Sequence, residues 1–235
     1  DATYRRGNRA TSGRAGRDPR MIVRFLTLLA LSYAAPASAQ DPGEIIGRAA
    51  RVYRSLASLQ ADFVQVIDNP MIDSAESRGT LIQAGSAKLA MRFSDPPGEA
   101  IVVDGKHVWI YTPSTVPDQV LRMKVPSGGP AYGYNLLAWL LDRPAERYKP
   151  SYVRSERVDG RVTDVIKLIP AVPDLPFTQA VVWLDREDAL PRRLEIQEHS
   201  GATRTLRLTK LRTNAPVPES TFSFKVPSGA RLVDQ

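Results

Sequence analysis

Apolar positions along this chain change period several times. After Asp41-Pro42, an acceptor at the N-cap followed by proline at the first helical position, Ile45, Ile46, Ala49, Tyr53, Leu56 and Leu59 recur at helical spacing. They predict an amphipathic helix over residues 42–60. From Phe63 onward short apolar or alternating runs separated by turn residues predict strands at 63–67, 79–84, 88–93, 101–103, 108–111 and 119–124. Helical spacing returns over 132–141 through Leu136, Leu137, Leu140 and Leu141, with Pro144 expected to end the helix. The last third predicts strands at 152–158, 162–169, 178–185, 192–198, 203–211 and 221–225, with turns at Asp159-Gly160, Arg186-Glu187-Asp188 and Ser200-Gly201.

The run from Glu99 to Pro113 anchors the series. Ile101 to Val103 and Val108 to Tyr111 are β-branched or aromatic, and Asp104-Gly105 between them suits a type I′ hairpin with positive φ at both central residues. Pro113 closes the second run by removing a ladder donor.

About eleven strands joined by tight turns argue for an antiparallel meander curled into a barrel or half-barrel, because a flat sheet of that size would expose long edges. The fold class is mainly β with helices (α+β). Val181-Val182-Trp183-Leu184 and Ile101-Val102-Val103 are apolar on both faces, whereas a sheet with one wet face alternates cleanly. A helix laid on the concave side would bury the second face. Such an arrangement gives either a filled core or a lumen that opens to an apolar ligand when the helix swings away, and the pattern alone weighs toward the filled core.

The first 39 residues change how the composition is read. Residues 1–20 are rich in Arg and Gly without apolar period and are set aside as an upstream or disordered segment. Residues 21–39 have the layout of a secretory signal peptide: Arg24, an apolar run over 25–35, and Ala37-Ser38-Ala39 as a small-x-small cleavage site. The apolar run is about half the roughly 20 residues that span a bilayer. Cleavage is expected after Ala39, leaving one domain over 40–235 in the periplasm. Residues 1–39 hold seven of the 32 Lys and Arg and two of the 25 Asp and Glu, so removing them leaves 25 and 23 and lowers net charge from +7 to +2. The basicity of the whole chain therefore does not point to nucleic acid. With no cysteine, there is neither a disulfide framework nor a thiol for lipid attachment.

Enzyme readings find little. Only His107 and His199 are present, neither within a carboxylate or metal spacing, so no triad or zinc site is evident. Asp185, Glu187 and Asp188 read as a solvated turn. Ser127-Gly-Gly-Pro130 lacks the strand and helix context of a phosphate loop.

Val103-Asp-Gly-Lys-His-Val-Trp-Ile-Tyr-Thr-Pro113 resembles the signature of the periplasmic outer-membrane lipoprotein carrier family, LolA. Ala61-Asp-Phe-Val-Gln65 resembles the strand after that family's first helix, Gly79-Thr-Leu81 its next strand, and Phe222-Ser-Phe-Lys-Val-Pro-Ser-Gly229 its C-terminal pattern. The resemblance implies an incomplete antiparallel β-barrel with a helical lid over an apolar concave face. It implies transport rather than catalysis: the carrier would take lipoprotein acyl chains from the inner to the outer membrane. The expected partners are acylated lipoproteins, an inner-membrane lipoprotein-releasing ABC transporter and, where present, an outer-membrane acceptor lipoprotein. No nucleic acid, metal or cofactor is expected, and the chain is expected to be monomeric. A periplasmic sensor of similar fold, binding a protein partner or another lipid, is the alternative.

The expected lipid-binding positions are Phe63, Leu81, Leu89, Met91, Phe93, Val103, Trp109, Tyr111, Leu136, Leu137, Leu140, Val181 and Trp183. Where many family members carry an Arg-Pro pair whose Arg bonds to lid carbonyls, this chain has Gly85-Ser86. Lys88 or Arg92 is the expected substitute.

Overall fold

The computed structural model describes residues 41–125, 134–172 and 175–235; the expected upstream segment, signal peptide and cleavage point, and Tyr132 and Ser127 to Pro130, lie outside the described residues. Helix α1 (Pro42–Ser55) begins as its sequence requires, with the Asp41 carboxylate accepting from the Gly43 N–H at 2.9 Å. It ends at Ser55 rather than at residue 60, because tertiary pairing outcompetes the helical period. Leu56 turns to extended backbone, and Ser58, Leu59 and Gln60 open β1 (Ser58–Asn69) against residues 82–84 of β2 (Ile72–Ala84). The Ala57 N–H donates to Asn214 Oδ1 and the Ser58 hydroxyl to the Ala215 carbonyl, which fixes the switch.

The meander continues through β3 (Lys88–Asp95), β4 (Pro97–Val103), β5 (His107–Tyr111) and β6 (Gln119–Lys124). Helices α2 (Leu136–Leu141) and α3 (Pro144–Arg147) interrupt it. It then resumes as β7 (Tyr148–Val158), β8 (Arg161–Pro170), β9 (Phe177–Asp185), β10 (Pro191–Glu198) and β11 (Thr203–Thr213). Pro144 does more than stop α2: it opens α3 as the first helical residue, after Arg143 in left-handed conformation (φ 42°).

Each expected strand up to 203–211 lies inside an observed one, but residues 221–225 are not a strand. A short 3₁₀ turn (Glu219–Phe222) leads into irregular backbone there, and the last strand is instead β12 (Arg231–Asp234). The twelve strands among the described residues form one sheet in the order β12-β6-β5-β4-β3-β2-β1-β11-β10-β9-β8-β7, antiparallel except for the parallel pair β12–β6. Strands β7 and β12 do not pair, so the barrel is open.

The sheet has a helix-bearing inner face and an outer face. A continuous core joins inner residues of both wings, Leu89 and Val103 on one and Leu168 and Leu194 on the other, to Ile46 and Ala49 of α1 and Leu137 and Leu140 of α2. On the outer face, Phe222 and, more loosely, Val217 and Phe224 from the C-terminal segment cover Ala90, Ala100 and Val102. That explains why the first wing is apolar on both sides: each face has its own cover.

The central hairpin turns one residue later than the Asp-Gly reading places it. Asp104 N–H donates to the His107 carbonyl, so Gly105-Lys106 are the central pair, and Gly105 (φ 95°) takes the positive φ of the first position, the type II′ pattern. Asp104 serves as an acceptor. Its Oδ1 binds the N–H of Lys106 and His107, both at 2.7 Å, and its Oδ2 binds Trp109 Nε1 at 2.8 Å. Burial alone would raise the Asp104 pKa, but these bonds and the neighbouring His107 bring it below the ordinary carboxylate value.

Candidate functional site

Strand parity decides what the inner face presents. In β1, Leu59, Ala61 and Phe63 point inward, as do Leu81 in β2, Leu89 and Met91 in β3, and Val103 in β4. Phe93 is partly buried against the same core. From above, α2 adds Leu137 and Leu140, with Leu136 at the margin. Nine of the expected lipid-binding residues are thus together on one apolar interior.

The other four are not. Trp109 and Tyr111 alternate with inward Val108 and Ile110, so they lie on the outer face, Trp109 stacked on Phe224 with ring centroids 5.8 Å apart and Tyr111 at 6.3 Å from the same ring. Asp104 holds the Trp109 indole there, and the Arg122 guanidinium covers it at 5.4 Å. Val181 and Trp183 likewise face outward, in a small cluster with Val158 and Val165, while Val182 and Leu184 point inward. Arg193 lies 4.4 Å over the Trp183 ring, and Glu156 accepts from its indole N–H.

Between α2 and the sheet lies a cavity of about 50 Å³ lined by Leu81, Leu89, Met91, Ile101, Leu137 and Leu206 among others. It has room for only a few water molecules. Small-molecule pockets hold about 300–1,000 Å³, so a ligand of that size fits only if α2 or α1 moves. A larger depression of about 290 Å³ beside the start of α1 is lined by Asp41, Glu44, Arg48, Asp164 and Arg186, charged chemistry unsuited to a hydrocarbon.

Three polar side chains are buried at the N-terminal end of α2. Tyr53 of α1 donates its hydroxyl to Gln83 Oε1 at 3.0 Å, and Gln83 Nε2 donates to Asn135 Oδ1 at 2.5 Å. Asn135 Oδ1 also accepts the Ala138 N–H at 3.1 Å, capping α2, and its Nδ2 donates to the Ser86 carbonyl at 3.4 Å. Burial raises the Tyr53 pKa, against smaller opposing hydrogen-bond effects from Gln83 and Asn135, so the phenol stays neutral. Sequence reasoning placed Tyr53 on the apolar face of the helix but missed its polar role, and missed Gln83 and Asn135. Asn135 directly before an apolar helical run is an N-cap signal, and Gln83 is two residues from Leu81 on the same strand face.

The expected substitutes for the missing lid arginine are engaged elsewhere. Lys88 pairs with Glu219, and Arg92 donates to the carbonyls of Thr221 and Ser223, all in the C-terminal segment. Alternation along β3 accounts for this: Lys88, Ala90 and Arg92 point to the outer face when Leu89 and Met91 point inward.

The Asp185 turn is not the solvated one its sequence suggests. Its carboxylate is buried, with Oδ2 accepting from Arg161 Nε at 2.5 Å and Arg192 Nε at 3.0 Å, and Oδ1 from the Glu187 N–H at 2.8 Å. Burial pushes the Asp185 pKa up, yet the hydrogen bonds from Arg161, Glu187 N–H and Arg192 outweigh it and bring it down to about 2. Among the described residues no group of His, Cys, Asp or Glu is arranged to hold a metal ion, and no helix is long and apolar enough to cross a membrane.

An open antiparallel sheet wrapped around an apolar interior, with short helices across it, defines a protein built to enclose hydrophobic surface. Residues 54–225 match the family described as outer membrane lipoprotein carrier protein LolA, and the chain belongs to that family. Among its relatives, the outer-membrane lipoprotein carrier protein of Pseudomonas putida is 24% identical over 223 residues, covering 92% of this chain and 97% of its own. That of Alkalilimnicola ehrlichii is 26% identical over 189 residues, covering 79% and 81%. A solved structure of an uncharacterized conserved protein from Thermus thermophilus shares the fold, with a TM-score of 0.53 at 13% identity, over 82% of this chain and 98% of that one.

Proposed function

We propose that this chain is a periplasmic carrier that encloses the acyl chains of lipoproteins between its inner sheet face and helices α1 and α2, and conveys them from the inner to the outer membrane without catalysis. The observation that carries the reading is the apolar interior joining Phe63, Leu81, Leu89 and Met91 to Leu137 and Leu140 under a six-residue helix. Phe93, Val103 and Leu136 complete the proposed contact set, while Trp109, Tyr111, Val181 and Trp183 support the sheet from outside. Residues 40–235 act as one domain after export and cleavage behind Ala39. The partners are an inner-membrane lipoprotein-releasing ABC transporter, which loads the carrier, and an outer-membrane acceptor lipoprotein, which unloads it.

Magnitudes fit reversible carriage. Each buried methylene is worth about 0.8 kcal/mol, so a ~16-carbon chain gains on the order of 10 kcal/mol. Displacing α2 uncovers the apolar surface that Leu137, Trp139 and Leu140 bury, which offsets part of that gain. A carrier whose interior is filled by its own helix when empty therefore holds its cargo less tightly than a preformed cavity would.

Native mass spectrometry of the protein drawn from a periplasmic extract tests the reading. The expected species has the mass of residues 40–235 plus an acylated polypeptide, which collisional activation releases. A protein that retains residues 21–39 and fractionates with membrane, or one that carries no acylated adduct while lipoproteins are abundant, contradicts it.

A further inference from the structure

We propose that the buried relay Tyr53–Gln83–Asn135 is the latch that holds α2 shut and couples its release to α1. This deepens the carrier reading and rests on it for the meaning of opening.

Every side-chain oxygen and nitrogen of the relay is engaged. Gln83 spends its carbonyl on Tyr53 and its amide N–H on Asn135; Asn135 Oδ1 takes two donors, and its Nδ2 reaches the Ser86 carbonyl in the β2–β3 turn. Three elements, α1, the end of β2 with its turn, and the start of α2, must therefore be in place together. Gln83 and Asn135 are almost fully buried, at 1% and 2% exposure, and Tyr53 is buried beside them. Elsewhere α2 is held by apolar contacts of Leu137, Trp139 and Leu140 and by the Tyr148 hydroxyl, which donates to the Trp139 carbonyl at 3.3 Å; the relay is the hold at its N-terminal end.

A buried amide without its partner is costly, whereas the same amide in water is satisfied. A half-lifted α2 that stayed dry would leave Gln83 Nε2, the Ser86 carbonyl and the Asn135 amide unpaired. The relay thus disfavours intermediate positions and favours either the closed helix or one lifted far enough to admit water. Because Tyr53 is its far end, loss of the α2 contact is felt at α1. Asn135 is also the cap of α2, so the bond that seats the helix and the bond that starts it share one oxygen.

Hydrogen exchange on the full chain without ligand tests the latch. Gln83→Met keeps bulk and removes both amide bonds; Tyr53→Phe keeps the ring and removes only the far bond. The amides of Ala138 to Leu141 should exchange about tenfold faster or more in Gln83→Met, and by a smaller factor in Tyr53→Phe, while those of β1 and β11 keep their parent rates. The double variant should exceed Gln83→Met only marginally, since both changes cut one chain. Should Gln83→Met fail to fold, Tyr53→Phe and its selective effect on α2 carry the test. Equal acceleration of α2 and the strands, or no change in α2, overturns the latch. A selectively loosened α2 in a protein that never takes up a fluorescent acyl probe upholds the latch and instead removes the carrier reading.

Discussion

Phe63 and Phe93 meet edge to face across Gly79, their ring centroids 5.1 Å apart at 84°. Gly79 lies between them in register, opposite Phe63 of β1 and opposite Phe93 of β3, where β3 carries an extra residue, Ser94, and the Arg92 backbone comes close. A Cβ at residue 79 would run into the Arg92 carbonyl, so the glycine is what allows the two strands and two rings to close.

Gly79→Ala is therefore expected to lower stability by about 2 kcal/mol or more, because the obstacle is backbone rather than a flexible side-chain end. Urea unfolding followed by tryptophan fluorescence measures it. An unchanged midpoint would show that β2 and β3 separate there at no cost.

The outer cover makes a separate prediction. Trp109→Ala removes the stack on Phe224, the Asp104 bond and the contact with Arg122. It should cost roughly 2 kcal/mol for this partly buried ring. Binding of a fluorescent acyl probe per folded molecule should stay at the parent level, whereas Met91→Glu, which introduces a charge into the inner face, should abolish it. Loss of probe binding in folded Trp109→Ala would return Trp109 to the interior.

These two faces mark where the sequence was legible and where it was not. Strand existence was readable, because β-branched runs and turn residues punctuate the chain from Phe63 to Thr213. Which face each side chain occupies was not, because alternation signals a face only when the other is wet. Here Val102 and Trp109 are covered by the C-terminal segment, while Val103 and Val108 are covered by the core. Phe222 and Phe224 added to the ambiguity: their spacing of two mimics a strand, but they use it to cap the outer face from irregular backbone. The helix of α1 was overread for a different reason, since Leu59 fits the helical period and the strand period alike, and only pairing with Gln83 decides it. The relay escaped notice because its members are 30 and 52 residues apart, so the local signals that two of them carry, Tyr53 in a helical period and Asn135 as an N-cap, say nothing of their meeting.

Asp185 gives a pH dependence. Its folded pKa of about 2 lies below the unfolded carboxylate value, so its contribution is complete above about pH 4, diminishes as pH falls, and is gone once pH passes below about 2. Asp185→Asn should lose roughly 2 kcal/mol or more at pH 7, since Arg161 and Arg192 are left facing a neutral amide. The gap between parent and variant should narrow between pH 4 and pH 2. Denaturant midpoints of both proteins across that range check it; a gap independent of pH would assign the loss to packing.

A removable tether on α2 tests whether acyl chains enter the space that this helix closes. Leu137 and Met91 line the same small cavity, and the chain has no cysteine of its own, so Leu137→Cys with Met91→Cys provides a single removable tether between α2 and β3. A radiolabelled triacylated lipopeptide is offered to the oxidised and the reduced double variant, and the soluble complex is counted after gel filtration. Almost no complex is expected when the variant is oxidised, and parent-level complex once the tether is reduced. Equal uptake by both forms would contradict this, because the cargo would then be binding somewhere that α2 does not close.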